Sequence, residues 1–419
     1  MDRWRLGWIS PDGRLLLVAR LLRTFGYGYL AVVLGLYLAA LGMSPFVVGL
    51  VTASAIGGSA AMTVAWSLAA DRYGRRRTVM TMALLMAAGG SLFALASSPW
   101  LLLVAAFTGT ISATSSEVGV FNTVDQAILP QVVPSERRTW AFATYGLVGN
   151  LSQAAGALSA GLIGVFSALG LHGADAFRPL FWLYAAIGLA NLVLFSRLSE
   201  RVELAKVEGR RGFIGIGRSR GVVVRLSALF GLDAFAGGFV VLALVSYWFN
   251  LRWGLSAEWL GVVFFWAGVL SAFSFLAAGW LAGRIGLLNT MVFTHLPSNV
   301  LLMLVPLMPT AWLAVALFLA RMSVSQMDVP TRQSYSMAIV DPEERTATAG
   351  ITNVARSVAT TLSPPIAGYA FSVAALGVPF FVAGGLKIVY DLLVWRTFRR
   401  IQPPEERRAG AREAASPRG

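Results

Sequence analysis

The stretch Ser67-Leu68-Ala69-Ala70-Asp71-Arg72-Tyr73-Gly74-Arg75-Arg76-Arg77 lies between two long apolar runs. Four arginines and one aspartate crowd into a connection too short to be a domain. A run of about 20 apolar residues crosses a bilayer, and both flanking runs are that long. An excess of arginine beside a span marks the cytoplasmic side. The stretch therefore predicts a short, basic, cytoplasmic hairpin between two transmembrane helices, with Gly74 at the turn.

Composition extends this to the whole chain. Hydrophobic residues make up 57% and charged residues 13% of the 419 residues, and the mean hydropathy is +0.68. Soluble domains carry about 25% charged residues, so a soluble fold is excluded. At about 20 residues per span plus connections, the length allows roughly twelve helices. The segment Met1 to Arg14 is basic and interrupted by Pro11 and Gly13, so no cleavable leader is expected. The chain has no cysteine, which excludes disulfides and thiolate metal sites.

The spans read as 15–41, 46–70, 77–97, 100–133, 137–169 and 179–198, then 221–249, 257–282, 287–308, 311–340, 345–374 and 377–397. The net charge of +14 follows this topology. Arg3, Arg5, Arg14, Arg72 to Arg77, Arg137, Arg138, Arg197, Arg284, Arg345 and the tail from Arg396 fall in alternate connections; the intervening ones hold only Arg178 and Arg252. Both termini are thereby placed in the cytoplasm. The charge reads as a topology signal in contact with anionic lipid, not as a nucleic-acid footprint. Residues 199–220 are polar and charged and read as a cytoplasmic linker between an N-terminal bundle, 1–198, and a C-terminal bundle, 221–400. The tail, 401–419, reads as disordered.

The two bundles repeat each other. A shift of 207 brings Gln126 onto Gln333, Val133 onto Val340, Glu136 onto Glu343 and Gly161 onto Gly368. A shift of 210 brings Phe25, Gly28 and Tyr37 onto Phe235, Gly238 and Tyr247. A shift of 212 brings Arg72, Gly74 and Thr78 onto Arg284, Gly286 and Thr290. The loop Asp71-Arg72-Tyr73-Gly74-Arg75-Arg76 resembles the signature that follows the second span in the major facilitator superfamily, with Ser67 in place of its leading glycine. The resemblance covers all twelve spans. It implies an all-α membrane protein of two pseudo-symmetric six-helix bundles, with substrate held near the midplane between them. It also implies that Asp71, Arg72, Gly74 and Arg75 form a conformational switch loop, and that spans 1, 4, 7 and 10 line the cavity.

Charges within the spans are the candidate site. Arg23, Asp125, Asp233 and Arg332 would each cost about 2.5–3.5 kcal/mol at mid-span, so they must be paired or hydrated. Under the repeat shifts Arg23 matches Asp233, and Asp125 matches Arg332: the same two positions with opposite signs. Pairs within the repeats and pairs across them would both neutralise the set. The first version fixes packing, and the second closes a gate. Span 4 adds Glu117 and Asn122; span 10 adds Arg321, Gln326 and Asp328; span 11 adds Asn353 and Arg356. Glu117 has no basic partner in its own repeat, which makes it the candidate proton carrier. Lys387 and Asp391, four apart on span 12, are expected to pair locally. Pro364-Pro365 is expected to break span 11.

Two departures from the family pattern bear on coupling. The arginine often present in span 4 is absent from Thr114-Ser115-Ser116-Glu117-Val118-Gly119, while Arg321 occupies the repeat-equivalent of Thr114. Span 5 carries Gly146, Gly149, Gly156, Gly161 and Gly164 but lacks the Gly-Pro pair of the exporter signature. His172 and His295 stand alone, so no metal and no cofactor is expected, and no catalytic constellation marks an enzyme. The sequence predicts a secondary transporter of the cytoplasmic membrane, monomeric, with a small-molecule substrate and protons as partners. Proton-coupled export is preferred. An anion transporter or uniporter using the buried arginines is the alternative, and a non-transporting receptor or scaffold is the reading of another class.

Overall fold

The computed structural model describes residues 9–114, 119–134, 137–203, 219–341 and 344–401, the side chains at 67–72, 138–140 and 346 excepted. Glu117, most of the linker and the tail beyond Ile401 lie outside the described residues. Every regular element among the described residues is helical. Hydrocarbon imposes this, because a helix satisfies its own backbone polar groups.

Spans 1 to 3 are α1 (Pro11–Ala40), α2 (Pro45–Tyr73) and α3 (Arg75–Leu95). Span 4 is α4 (Pro99–Phe107) and α5 (Val120–Ile128), and span 5 is α6 (Arg138–Leu158) with α7 (Leu162–Ala168). Span 6 is α8 (Arg178–Ser196). Span 7 begins as α9 (Arg220–Gly238) and resumes as α10 (Leu242–Trp253). Spans 8 and 9 are α11 (Ala257–Ile285) and α12 (Leu287–Leu304). Span 10 is α13 (Ala311–Met322) with α14 (Asp328–Ala338). Spans 11 and 12 are α15 (Arg345–Ser372) and α16 (Val378–Phe398).

Two sequence expectations are corrected here. Spans 4 and 10 are not continuous helices. In span 4, Gly109 and Gly119 take positive φ angles of 72° and 121°, which an L side chain resists, and the helix restarts at Val120. In span 10 a turn at Ser323–Met327 separates α13 from α14, and the Ser274 hydroxyl accepts from the Gln326 amide at 3.2 Å. Pro364-Pro365, by contrast, does not break span 11: α15 runs through both prolines. The Thr360 carbonyl, left without an intrahelical donor by Pro364, is closely approached by Gly238 of α9, where a Cβ would not fit.

Among the described residues nine candidate membrane spans are long and apolar enough by composition alone. Spans 4 and 10 fall short because they are interrupted. Span 11 falls short because α15 carries Thr348, Thr352, Asn353, Arg356, Ser357, Thr360 and Thr361.

Packing divides the chain into two compact units. One comprises Met1–Gly209, Val241–Trp266 and Pro364–Ala375. Its axis is α1, buried almost throughout from Gly26 to Leu38. Within it the second half of span 7 packs on the first repeat: the Ser246 hydroxyl donates to the Val32 carbonyl at 2.6 Å, and the Ala243 amide donates to the Ala113 carbonyl at 3.1 Å. The other unit comprises Arg210–Val240, Ala267–Ser363 and Leu376–Gly419. Its core gathers Val223, Leu226, Phe230, Met291, Tyr335, Tyr390 and Val394.

The repeat is visible in local geometry. A Cβ on Gly28 would strike the Gln153 carbonyl of α6, as one on Gly238 would strike Thr360 of α15, two positions related by the same sequence shifts. Gly74 and Gly286 both precede a helix with positive φ, 102° and 85°. Thr78 and Thr290 each return a 2.8 Å hydrogen bond to that glycine's carbonyl.

Candidate functional site

In the first repeat the site is a sealed pair. Arg23 of α1 and Asp125 of α5 are both fully buried and meet at 2.6 Å. Arg23 also donates to Asn191 of α8 at 3.3 Å, and Asp125 accepts from the Tyr145 hydroxyl of α6 at 2.9 Å. The guanidinium lies 4.5 Å above the ring of Phe121 and 5.4 Å from that of Phe195. Removing two charges from water costs more than Coulomb attraction returns unless further hydrogen bonds satisfy both groups. Asn191, Tyr145 and the two rings supply that support.

In the second repeat the corresponding pair is present but shared more widely. Asp233 of α9 accepts from Lys387 of α16 at 2.6 Å and from Arg332 of α14 and Arg356 of α15 at 3.1 Å each. Arg332 also holds Asp328, one turn earlier on α14, at 2.9 Å. Of the two pairings open to the sequence, each acid thus has a cation of its own repeat in contact.

The expected Lys387–Asp391 pair does not form. Lys387 turns to Asp233, and Asp391 binds His295 at 2.8 Å and Asn299 at 3.0 Å, both on α12. A lysine four residues before an acid is the weaker order for a local helical pair, and its long stem reaches a neighbouring helix. The sequence reading missed Asn191, Tyr145 and Asn299, and it left His295 standing alone where the structure pairs it with Asp391. Their signal is a polar side chain within an apolar run, at a position where the neighbouring spans carry charge.

The remaining candidates are spread over other contacts. Asn122 accepts from Gln126, one turn on, at 3.1 Å, and both lie on the partly exposed side of α5. Gln326 sits in the turn between α13 and α14. Arg321, in the last turn of α13, has a buried Nε with no hydrogen-bond acceptor among the described residues. Arg356 keeps 28% of its side chain exposed while it holds Asp233.

The exposure of α15 has two opposite faces. Val354, Val358, Leu362, Ile366 and Tyr369 recur at helical spacing and are exposed apolar groups, as lipid requires. Asn353, Arg356 and Thr360 lie on the reverse side and are exposed or half-buried. Polar groups do not face hydrocarbon without cost, so this second face is the one suited to water or solute.

At the basic hairpin, Asp71 and Arg72 lie in the last turn of α2, and Gly74 makes the turn into α3. Arg75 is buried and donates from Nη1 to the Ala127 carbonyl at 3.3 Å, near the C-terminal end of α5, where a cation is favoured. Glu203, at the start of the connection between the repeats, accepts from the amides of Arg75 at 2.7 Å and Arg76 at 3.1 Å. Gly74 has no side chain with which to cap α3, and Glu203 does so from 128 residues away. Nearby, the Ser199 amide and hydroxyl donate to Asp12, at 2.9 and 2.6 Å, in the first turn of α1.

A polytopic helical bundle with buried ion pairs in matching spans and a capped basic hairpin has the features of a membrane transporter. Residues 16–364 match the family profile of the Major Facilitator Superfamily. The chain belongs to that superfamily, whose members are transporters. It is similar to the uncharacterised membrane protein YJR124C of Saccharomyces cerevisiae, at 25% identity over 92% of this chain and 93% of the relative. Its fold is similar to that of the nucleoside transporter NupG, with a TM-score of 0.73 at 12% identity over 92% of this chain and 99% of that one. A bacterial homologue of the human lysosomal transporter Spinster gives 0.70 at 16% identity over 93% and 97%. A D-xylose–proton symporter gives 0.71 at 14% over 92% and 97%. Neighbours of such different cargo share the fold, so the fold alone does not choose a substrate.

Proposed function

We propose that the chain is a secondary active transporter that moves a small molecule across the cytoplasmic membrane by alternating access, with export coupled to protons. The carrying observation is the sharing of Asp233 among Lys387, Arg332 and Arg356. An acid with three cations can release one without being left bare. An exchangeable network of this kind suits a cycle, whereas a fixed packing element needs only a single ion pair, such as that of Asp125 with Arg23. The polar face of α15 supports the same reading, because it presents Arg356 where solute could reach it.

Roles follow for the remaining residues. Glu117 carries the proton; Asp328 and Asp233 are the reserve carriers. Asn122 and Gln326 contribute to the substrate path at the breaks in spans 4 and 10, and Asp71, Arg72, Gly74 and Arg75 form the switch loop. The repeats, 1–198 and 221–400, move against each other about the connection 199–220, with both termini and the 401–419 tail in the cytoplasm. The protein works as a monomer in lipid and performs no catalysis.

The test is transport in proteoliposomes with and without a pH gradient. Glu117→Gln should abolish gradient-driven accumulation and leave substrate exchange intact, since the amide mimics only the protonated acid. Full accumulation by this variant would remove Glu117 from the mechanism. A second reading, an anion transporter or uniporter, is favoured by the surplus of cations around Asp233.

A further inference from the structure

The ion cluster of the second repeat does not balance among the described residues. Three cations, Arg332, Arg356 and Lys387, share only two carboxylates, Asp233 and Asp328. One positive charge is left over. Moving outward does not remove it. Asp391, held by His295 and Asn299 and not ion-paired with Lys387, adds one more carboxylate among the described residues. Arg321 adds a further cation, and its buried Nε has no acceptor among them.

The surplus has an address. Lys387 and Arg332 are each only 10% exposed at the side chain, while Arg356 is 28% exposed. Arg356 binds Asp233 through Nη1 alone, and a guanidinium carries five N–H donors in a planar fork. Asn353, exposed and one turn earlier on the same face of α15, adds an amide that both donates and accepts. Counted along α15, Arg356 lies 11 residues beyond Arg345, about 16 Å into the span at 1.5 Å per residue. A cation in surplus at that depth is costly, and a partner of opposite charge offsets the cost.

We propose that Arg356, with Asn353 beside it, binds the carboxylate of a monoanionic organic substrate on the polar face of α15. The inference rests on the transporter reading and gives it a substrate class. A planar carboxylate matches the guanidinium fork in two parallel hydrogen bonds. A single negative charge matches the single surplus. A neutral solute would leave the cation uncompensated, and a dianion would reverse the imbalance.

The same chemistry could be met by an anionic lipid headgroup, so the test separates the two. The full-length protein in detergent is titrated with benzoate, with its neutral counterpart benzamide, and with phosphatidylglycerol, and the shift in melting temperature is read. Benzoate should stabilise the protein and benzamide should not. Arg356→Gln should weaken the apparent benzoate affinity at least about tenfold, the usual worth of a charge-assisted bidentate contact. Asp233 retains Lys387 and Arg332 in that variant. Should Arg356→Gln fail to fold, Arg356→Lys keeps the charge and loses the fork, and it should bind benzoate more weakly than the wild type. Equal shifts with benzoate and benzamide would overturn the proposal, as would an undiminished benzoate shift in both variants. Stabilisation by phosphatidylglycerol alone would assign the surplus charge to lipid and likewise overturn it. Because binding is read without transport, a protein that carries only neutral solutes in proteoliposomes and ignores benzoate would sink this inference while the transporter reading stands. A protein that binds benzoate through Arg356 but transports nothing would sink only the transporter reading.

Discussion

At the scale of the residue, two buried acids live in different company. Asp125 meets Arg23 and a hydroxyl from Tyr145. Asp233 meets three cations. Removing one partner of a buried pair leaves the other charge uncompensated, at about 3–5 kcal/mol. Arg23→Leu should therefore destabilise the protein strongly, and Arg23→Leu with Asp125→Leu should recover most of the loss, as read by thermal unfolding in detergent. No recovery in the double variant would remove the pair as the reason for the loss. Arg356→Gln, which leaves Asp233 with Lys387 and Arg332, should cost less than Arg23→Leu. Much of this set was legible in the sequence, because a charge in an apolar run stands out. The choice of partner was less so. Within-repeat and across-repeat pairings neutralise the charges equally well, and only distance separates them. Lys387 shows the limit most clearly: its neighbour along the helix is Asp391, and its neighbour in space is Asp233.

At the scale of the element, the capping of α3 by Glu203 joins the connection between repeats to the basic hairpin. A carboxylate on free amides at a helix start is worth about 1 kcal/mol. Glu203→Ala should raise amide hydrogen exchange in the first turn of α3, at Arg75 and Arg76, by roughly fivefold for each ~1 kcal/mol lost. Unchanged exchange there would show that the cap carries no local stability. The cap could not be read from sequence, since nothing in the spacing of Glu203 and Gly74 signals a contact between segments so far apart in the chain. The breaks in spans 4 and 10 were hidden for another reason. Hydropathy averages over a span and does not register a few residues of non-helical backbone that protein groups satisfy internally. The proline pair misled in the opposite direction. Two prolines in a row predict a break, yet α15 continues through them. Neighbouring helices tolerate the freed carbonyls, as the close approach of Gly238 to Thr360 illustrates.

At the scale of the whole molecule, the twelve-span architecture and its internal duplication were readable from arginine placement and from three sequence shifts. The local geometry bears the shifts out, from the glycine turns at Gly74 and Gly286 to the crossings at Gly28 and Gly238. The cycle proposed above has the repeats exchange which face of the membrane is open. A receptor or scaffold built on the same spans would keep one arrangement. The absence of cysteine allows labels to be placed at will. The most direct measurement is a pair of distance distributions between spin labels in nanodiscs. One pair stands at Arg197 and Arg399, at the Arg-rich ends of spans 6 and 12. The other stands at Leu169 and Trp312, exposed residues at the opposite ends of spans 5 and 10. Alternating access predicts two populations for each pair, with the distance at the Arg-rich face lengthening as the distance at the opposite face shortens when pH or solute is changed. A single unchanging distance at both faces under every condition would contradict it.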